Sequence, residues 1–274
     1  MKLITLIENE LGSNPNLTCE FGFSIFIEDE DTNLIFDTGQ SGIFVENIKK
    51  LGIDTKKIDK LIISHNHFDH GGGVKNYINF FGNNFSIYLN KKFFYKRYGF
   101  SKEYSRILGA NFSEDFLKKK DVKINFITDH IHNISKNITI FTNFKNITNF
   151  ENPNSTYFKK VENNFIFDDM SDELVLGLNT SKGYIILCGC SHFGIVNIVE
   201  NIKLLTGKKI IGIIGGLHLS KASDERVKRV INYLKNENIN YLALSHCTGE
   251  KTIEILKREG FTIISNHTGN ILEL

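Results

Sequence analysis

The sequence predicts an α/β protein: a four-layer α/β/β/α sandwich with an inserted lid region. Short apolar runs rich in Ile and Phe alternate with segments of helical spacing. They do so in two similar blocks, one before residue 90 and one after Glu173. Two blocks of strands backed by helices have their apolar faces satisfied when the sheets meet and the helices cover the outside. No internal repeat or low-complexity linker divides the 274 residues, so a single domain over 1–274 is expected, long enough to bury its own core.

In the first block, Lys2–Glu8, Gly22–Glu28 and Asn33–Phe36 are expected as strands. A helix follows with Phe44, Ile48 and Leu51 on one face and Gly52 at its C-terminal cap. Lys60–Ser64 is the next strand, and it runs directly into His65-Asn-His-Phe-Asp-His70-Gly-Gly-Gly73. In the second block, Glu173–Asn179 and Tyr184–Cys188 read as a hairpin across Ser181-Lys-Gly183. A helix through Ile195, Ile198, Val199 and Ile202, a strand Lys209–Ile214, and a helix through Val227, Val230, Ile231 and Leu234 come next. The strand Tyr241–Ser245, a helix through Ile253 and Leu256, and two short terminal strands close the chain. Residues from about 90 to 165 are aromatic, basic and poorly periodic, and are expected as an insertion or lid.

Composition excludes several classes. With 33 Lys+Arg against 31 Asp+Glu, no long-range field suggests nucleic acid. No apolar run reaches the roughly 18–20 residues of a membrane helix, and the first strand starts without a signal-peptide pattern, so a soluble cytoplasmic protein is expected. Four cysteines are too few for a disulfide framework in a chain of this length and read as reduced, partly buried thiols. Of these, Cys188 and Cys190 stand out because His192 is close by. The basic run Lys91, Lys92, Lys96 and Arg97 reads as a solvated face.

The nine histidines are the most informative residues. His65, His67 and His70 share one turn with Asp69 immediately after a strand. His192, His218, His246 and His267 each follow an expected strand by a few residues, and the carboxyl ends of strands are where ligands gather in α/β sheets. Imidazole and carboxylate are ordinary ligands for zinc, iron and manganese. The turn can offer two imidazoles to one metal, and a carboxylate with an imidazole to a second. Gly71-Gly72-Gly73 removes side chains where the backbone must bend tightly and begin a helix. His130 and His132 read as solvated loop residues.

The motif His65-x-His67-x-Asp69-His70 after a core strand resembles that of the metallo-β-lactamase fold superfamily. Phe36-Asp37-Thr38-Gly39 is similar to its Asp-Thr-Gly strand end. Cys188-Gly-Cys-Ser-His192, Gly215-Gly-Leu-His218 and Ser245-His-Cys-Thr-Gly249 fall in the matching order, so the resemblance spans essentially the whole chain. With Glu20-Phe-Gly-Phe-Ser24, these segments resemble a branch described as metal-dependent hydrolases or as similar to the methanopterin-pathway ribofuranosyl-aminobenzene phosphate synthases.

The resemblance implies two divalent transition metals, zinc first, with iron or manganese as alternatives. His65 and His67 would hold the first, Asp69, His70 and His246 the second, and Asp37 would support the ligands from behind. His192 is the candidate third ligand of the first metal. Where the common pattern has Gly-Asp with a bridging Asp, this chain has Gly189-Cys190; Cys190 either approaches the second metal or packs beside it, which leaves the bridging ligand open. Asp69 and His218 are the catalytic candidates, the first orienting water and the second binding or protonating substrate, with a turn-capping role for His218 as the alternative. Glu20 and Ser24 would reach the pocket rim.

The function so implied is hydrolysis of an ester or phosphoester-type small molecule by metal-activated water. The alternative is a pterin-related transferase forming a C–N bond on the same metals, with a phosphorylated or pterin-like substrate. A metal-binding module without turnover is disfavoured, because structural zinc sites are usually closed and mononuclear. A flavodiiron-type reductase is disfavoured because His67 stands where those enzymes carry Glu.

Overall fold

A computed structural model describes residues 1–100, 105–151 and 156–274. Numbered in chain order, the strands form three sheets. The first, seven-stranded, runs β17 (Ile271–Glu273), β1 (Lys2–Ile7), β2 (Ser24–Asp29), β3 (Thr32–Phe36), β4 (Ile58–Ile62), β5 (Ser86–Asn90) and β8 (Lys123–Ile127). The second, six-stranded, runs β16 (Tyr241–Leu244), β15 (Ile210–Gly215), β14 (Gly183–Cys188), β13 (Val175–Thr180), β10 (Ile138–Phe141) and β9 (Ile131–Asn133). The third, four-stranded and antiparallel, runs β12 (Asn164–Phe167), β11 (Tyr157–Val161), β6 (Lys96–Phe100) and β7 (Ser105–Ile107).

Strand alternation sorts the apolar side chains into layers. Ile25, Ile27, Leu34, Phe36 and Ile62 of the first sheet meet Ile138, Leu176, Ile185, Leu187 and Ile214 of the second in one central core. The intervening residues Phe26, Ile35 and Leu61 point outward, to α1 (Ile43–Lys50) and to α3 (Val74–Phe81), which follows the one-turn α2 (Phe68–Gly71). On the far side, Ile186, Ile213 and Leu242 face α5 (Ile195–Thr206), α6 (Asp224–Asn236) and α7 (Glu250–Arg258). Period-two alternation thus builds the α/β/β/α order directly. Helix ends follow their local chemistry: Ser223 Oγ accepts the Arg226 amide at the start of α6, and Gly207 takes a left-handed φ of 65° at the end of α5.

Residues 90 to 165 are not one continuous insertion. Residues 96–100 and 105–107, with 157–167, build the third sheet, while β8, β9 and β10 between them complete the two main sheets and α4 (Glu114–Lys119) precedes β8. The weak periodicity there has a physical cause: these strands lie at sheet margins, and β7, β9 and β12 are exposed on both faces. Arg97, expected in a solvated face, is instead 1% exposed and paired with Asp168 at 2.5 Å and Asp172 at 2.6 Å; Lys91, Lys92 and Lys96 are exposed as expected. Only one of the two expected terminal strands forms; the other reduces to a single bridge between Leu242 and Ile263. Among the described residues no helix is long and apolar enough to cross a membrane.

Candidate metal centre

The parallel portions of the main sheets, β3–β4 and β14–β15–β16, end at a common edge. From it emerge Asp37 after β3, His65 after β4, Cys190 and His192 after β14, His218 after β15 and His246 after β16. Their backbones are bent sharply: Asp37, Ser191, His218 and His246 all have left-handed φ, between 50° and 62°, which costs side-chain-bearing residues of order 1–3 kcal/mol each. That strain turns each chain out of its strand and aims the side chain into one space.

The histidine turn is fitted to this edge by its glycines. Both Gly72 and Gly73 have negative φ, so their role is close approach rather than special backbone conformation. A Cβ on Gly72 would lie 2.3 Å from the Gln40 and Phe68 carbonyl oxygens, and one on Gly73 2.5 Å from the Phe44 ring and the Ser41 and Thr38 oxygens. Thr38 completes the clamp by donating its amide and hydroxyl to the His70 carbonyl, at 2.7 and 2.9 Å.

Asp37 orients two of the histidines. Its Oδ1 accepts the Ser64 amide at 2.7 Å, and its Oδ2 accepts both Ser64 Oγ and His70 Nδ1 at 2.7 Å. Having spent its proton on Asp37, Ser64 Oγ accepts from His65 Nδ1 at 2.8 Å. The network therefore assigns the proton to Nδ1 in both imidazoles and leaves both Nε2 lone pairs facing inward. His65 Nε2 meets His67 Nδ1 at 3.0 Å, and His70 Nε2 meets Cys190 Sγ at 3.1 Å.

The second sheet uses other supports. Glu173 accepts the His192 and Phe193 amides, each at 2.8 Å, and Glu8 accepts the His246 amide at 2.6 Å. His246 Nδ1 donates to Asn9 Oδ1 at 3.0 Å, an atom identified as oxygen by the Gly22 amide that also donates to it; His246 Nε2 is then turned to Asp69 Oδ2 at 3.4 Å. Asp69 Oδ2 is 3.9 Å from His70 Nε2. The rings of His65, His67 and His192 lie 4.5 to 4.7 Å from one another, and the His218 ring lies 4.1 Å from that of His192, tilted by 53°.

Burial pushes His65, His67 and His192 well below the ordinary histidine range, reinforced by neighbouring imidazoles, so these rings are neutral with lone pairs available. Burial would raise Asp69, but His70 and His246 outweigh it and hold the carboxyl well below its usual range. Burial, together with the adjacent Cys247, pushes the Cys190 thiol well above the ordinary range. His67 Nε2, both His192 nitrogens and His246 Nε2 are buried without a protein hydrogen-bond partner, a costly arrangement for polar atoms that have no ligand to meet. The donor sets His65–Cys190–His192 and His70–Cys190–His246 each place their ligand atoms within 4.8 Å of one another, as do Cys190, His218 and Cys247. Neutral nitrogens, a carboxylate and thiols so arranged fit divalent transition metals.

His65, His67, Asp69, His70, His192, His246, Cys190 and His218 are thus brought together, with Asp37 behind them. Ser24 and Glu20 are not. Ser24 is fully buried with its hydroxyl committed to the Asp37 carbonyl at 2.8 Å, and Glu20 accepts the Ser41 amide and hydroxyl at 3.1 and 2.6 Å. Each finds its partner in the Asp37–Ser41 strand end rather than at the rim. His130 and His132 are exposed, and His267 pairs with Glu10 at 3.1 Å.

Sequence reasoning overlooked Glu8, Asn9, Ser64, Glu173, Cys247 and Tyr157. Cys247 follows His246 directly, so its position was visible although its role was not. Tyr157 enters from the third sheet, its ring 5.6 Å from His67, 5.8 Å from His192 and 6.2 Å from His218, and Phe21, half-exposed, lies 5.2 Å from His246 on another side.

Comparison with known proteins identifies the family of the fold. Residues 17–140 match the metallo-β-lactamase superfamily. The chain is 31% identical over 269 residues to the 7,8-dihydropterin-6-methyl-4-(β-D-ribofuranosyl)-aminobenzene-5′-phosphate synthase of Methanocaldococcus jannaschii, covering 94% of this chain and 91% of that one. It is similar to a second, uncharacterized protein of the same organism, at 28% identity over 92% of this chain and 93% of the relative. The crystal structure of Tm1679, a metal-dependent hydrolase of the β-lactamase superfamily, superimposes with a TM-score of 0.87 and 28% identity over 100% of this chain and 99% of that one. The fold extends to YhfI of Bacillus subtilis, with a TM-score of 0.59 and 11% identity over 100% of this chain and 98% of that one. With its fold, its histidine motif and a full-length relative in agreement, the chain belongs to the metallo-β-lactamase superfamily.

Proposed function

We propose that the protein is a dinuclear metal-dependent hydrolase acting on an ester or phosphoester-type small molecule. The observation that carries this reading is the convergence of the inward-facing lone pairs on His65 and His70 with the Asp69 carboxylate, the His246 Nε2 atom turned to that carboxylate and the partnerless nitrogens of His67 and His192. His65, His67 and His192 would hold one metal, and Asp69, His70 and His246 the other; zinc leads, with iron or manganese as alternatives. When bound, such ions supply Lewis acidity and lower the pKa of water toward about 7.

The chain's own groups do the rest. Asp69, kept ionised by the histidines beside it, both ligates and orients the attacking water. His218, half-buried with its ring against that of His192, carries the proton to the leaving group. Tyr157 and Phe21 wall the approach and limit the water that reaches it.

A second reading is favoured by the relationship to the phosphate synthase: the same groups would hold a phosphorylated aminobenzene and a dihydropterin for bond formation between them. Product analysis on the metal-reconstituted protein separates the readings. A hydrolase turns over one organic substrate with water, in a panel of phosphodiesters, phosphomonoesters and thioesters. A synthase yields product only when pterin and aminobenzene phosphate are both supplied. Turnover that needs both would overturn the hydrolase reading. His218→Ala is expected to keep both metals and lower kcat by about 10²–10⁴.

A further inference from the structure

Cys190 has no role in the two metal sets just described, yet it lies between them. It is 3% exposed and is the one residue shared by the donor groups His65–Cys190–His192 and His70–Cys190–His246. Its position follows from the end of β14. Gly189 passes so close to the Asp37 network that a Cβ there would lie 2.5 Å from Ser64 Oγ, 2.9 Å from Asp37 Oδ2 and 3.0 Å from His70 Nδ1. The bare backbone at Gly189 lets the following residue project into the space that both histidine sets face.

We propose that the Cys190 thiolate bridges the two metals, so that the centre is a sulfur-bridged pair. This inference rests on the two-metal reading above. Zinc bonds of about 2.3 Å to sulfur and about 2.0–2.1 Å to imidazole nitrogen put the two donor atoms about 3.6 Å apart at a tetrahedral angle. That spacing fits within the 4.8 Å that bounds each donor group, on both sides of the same sulfur atom. On metal entry the S–H bond is lost, its proton passes to solvent, and the sulfur gains one bond to each ion. The lone pair of His70 Nε2, 3.1 Å from Sγ, then turns from the thiol to the metal.

Cys190 also shares a third donor group, with His218 and Cys247. There the competing thiol is already engaged by the backbone: Cys247 Sγ accepts the His218 amide at 3.3 Å and donates to the Cys190 carbonyl at 3.5 Å. In the two histidine sets, by contrast, the His192 and His246 Nε2 atoms have no protein hydrogen-bond partner.

Titration of the metal-free full-length protein with cobalt(II) tests the bridge, because thiolate-to-cobalt charge transfer in the near ultraviolet reports sulfur ligation independently of activity. The expected result is a band that grows through both the first and the second equivalent. It should persist in Cys247→Ser and disappear in Cys190→Asp and Cys190→Ser, with Cys190→Asp still binding two equivalents. Far-ultraviolet circular dichroism checks that the variants fold, and a wild-type band that stops growing after the first equivalent overturns the bridge even if they do not. Two bound equivalents with no band, or a band complete after the first, would overturn the bridge while leaving the metal pair intact. A third equivalent lost in Cys247→Ser would move Cys190 to a separate thiolate site and overturn it also. Fewer than two equivalents in the wild-type protein would overturn the two-metal reading itself.

Discussion

On the side of the first sheet, His65, His67, Asp69 and His70 leave one strand end in a single turn; on the second sheet, His192, His218 and His246 come from three separate strand ends. The supports differ in kind. The turn is governed from one point, since Asp37 fixes the inward lone pairs of both His65 and His70. Each ligand of the second sheet has a private anchor that grips its backbone, Glu173 for His192 and Glu8 for His246. A shared support makes the turn a unit whose members fail together, whereas private anchors let the opposite ligands be tuned one at a time.

Removal of a ligand gives the largest expected effect and tests whether the turn acts as a unit. His65→Ala together with His67→Ala should reduce bound metal from about two equivalents toward one, measured by elemental analysis after dialysis. Retention of two would break the assignment of the first site. Next comes Asp37→Asn, nearly equal in shape but carrying an amide that donates where His70 Nδ1 also donates. Affinity for both metals should fall by about 10–100-fold, the usual scale for groups behind metal ligands. An effect confined to one metal, seen by competition with a chromophoric chelator, would contradict a shared support.

The private anchors predict the opposite pattern. Glu173→Gln should weaken the metal held by His192, and Glu8→Gln the one held by His246, each by replacing a carboxyl that accepts backbone amides with an amide that also donates, at about 1 kcal/mol per hydrogen bond. The smallest effect belongs to Ser24→Ala. With its hydroxyl spent on the Asp37 carbonyl, loss should cost about 1 kcal/mol of stability by denaturant unfolding and leave KM unchanged. A raised KM at unchanged stability would return Ser24 to the pocket rim.

The same contrast explains what the sequence made legible. The layered fold followed from alternation in strands such as Ile25–Phe26–Ile27 and Leu34–Ile35–Phe36, whose two faces enter different cores. The histidine turn was legible because four ligand-type side chains crowd into a few positions. His192 and His246 could be placed because they follow apolar strands. Their anchors could not, since a single Glu among 31 acidic residues carries no signal until the chain has folded. The margins of the sheets were lost for a different reason: β9 and β12 are exposed on both faces, so no period marks them, and the two halves of the third sheet are separated by strands belonging elsewhere.

The bond from the His246 amide to Glu8 joins residues 238 apart in the chain. Closing a loop of that length is an entropic cost that local contacts cannot share, so such pairings form late in folding. The turn at His65–His70 can capture an ion as soon as β4 and Asp37 are in place, while the ligand set that includes His246 waits for nearly the whole chain to assemble. If the centre holds two metals as proposed, acquisition of the second would mark the completion of folding, and its release rate would report how often the two distant ends of the sequence part.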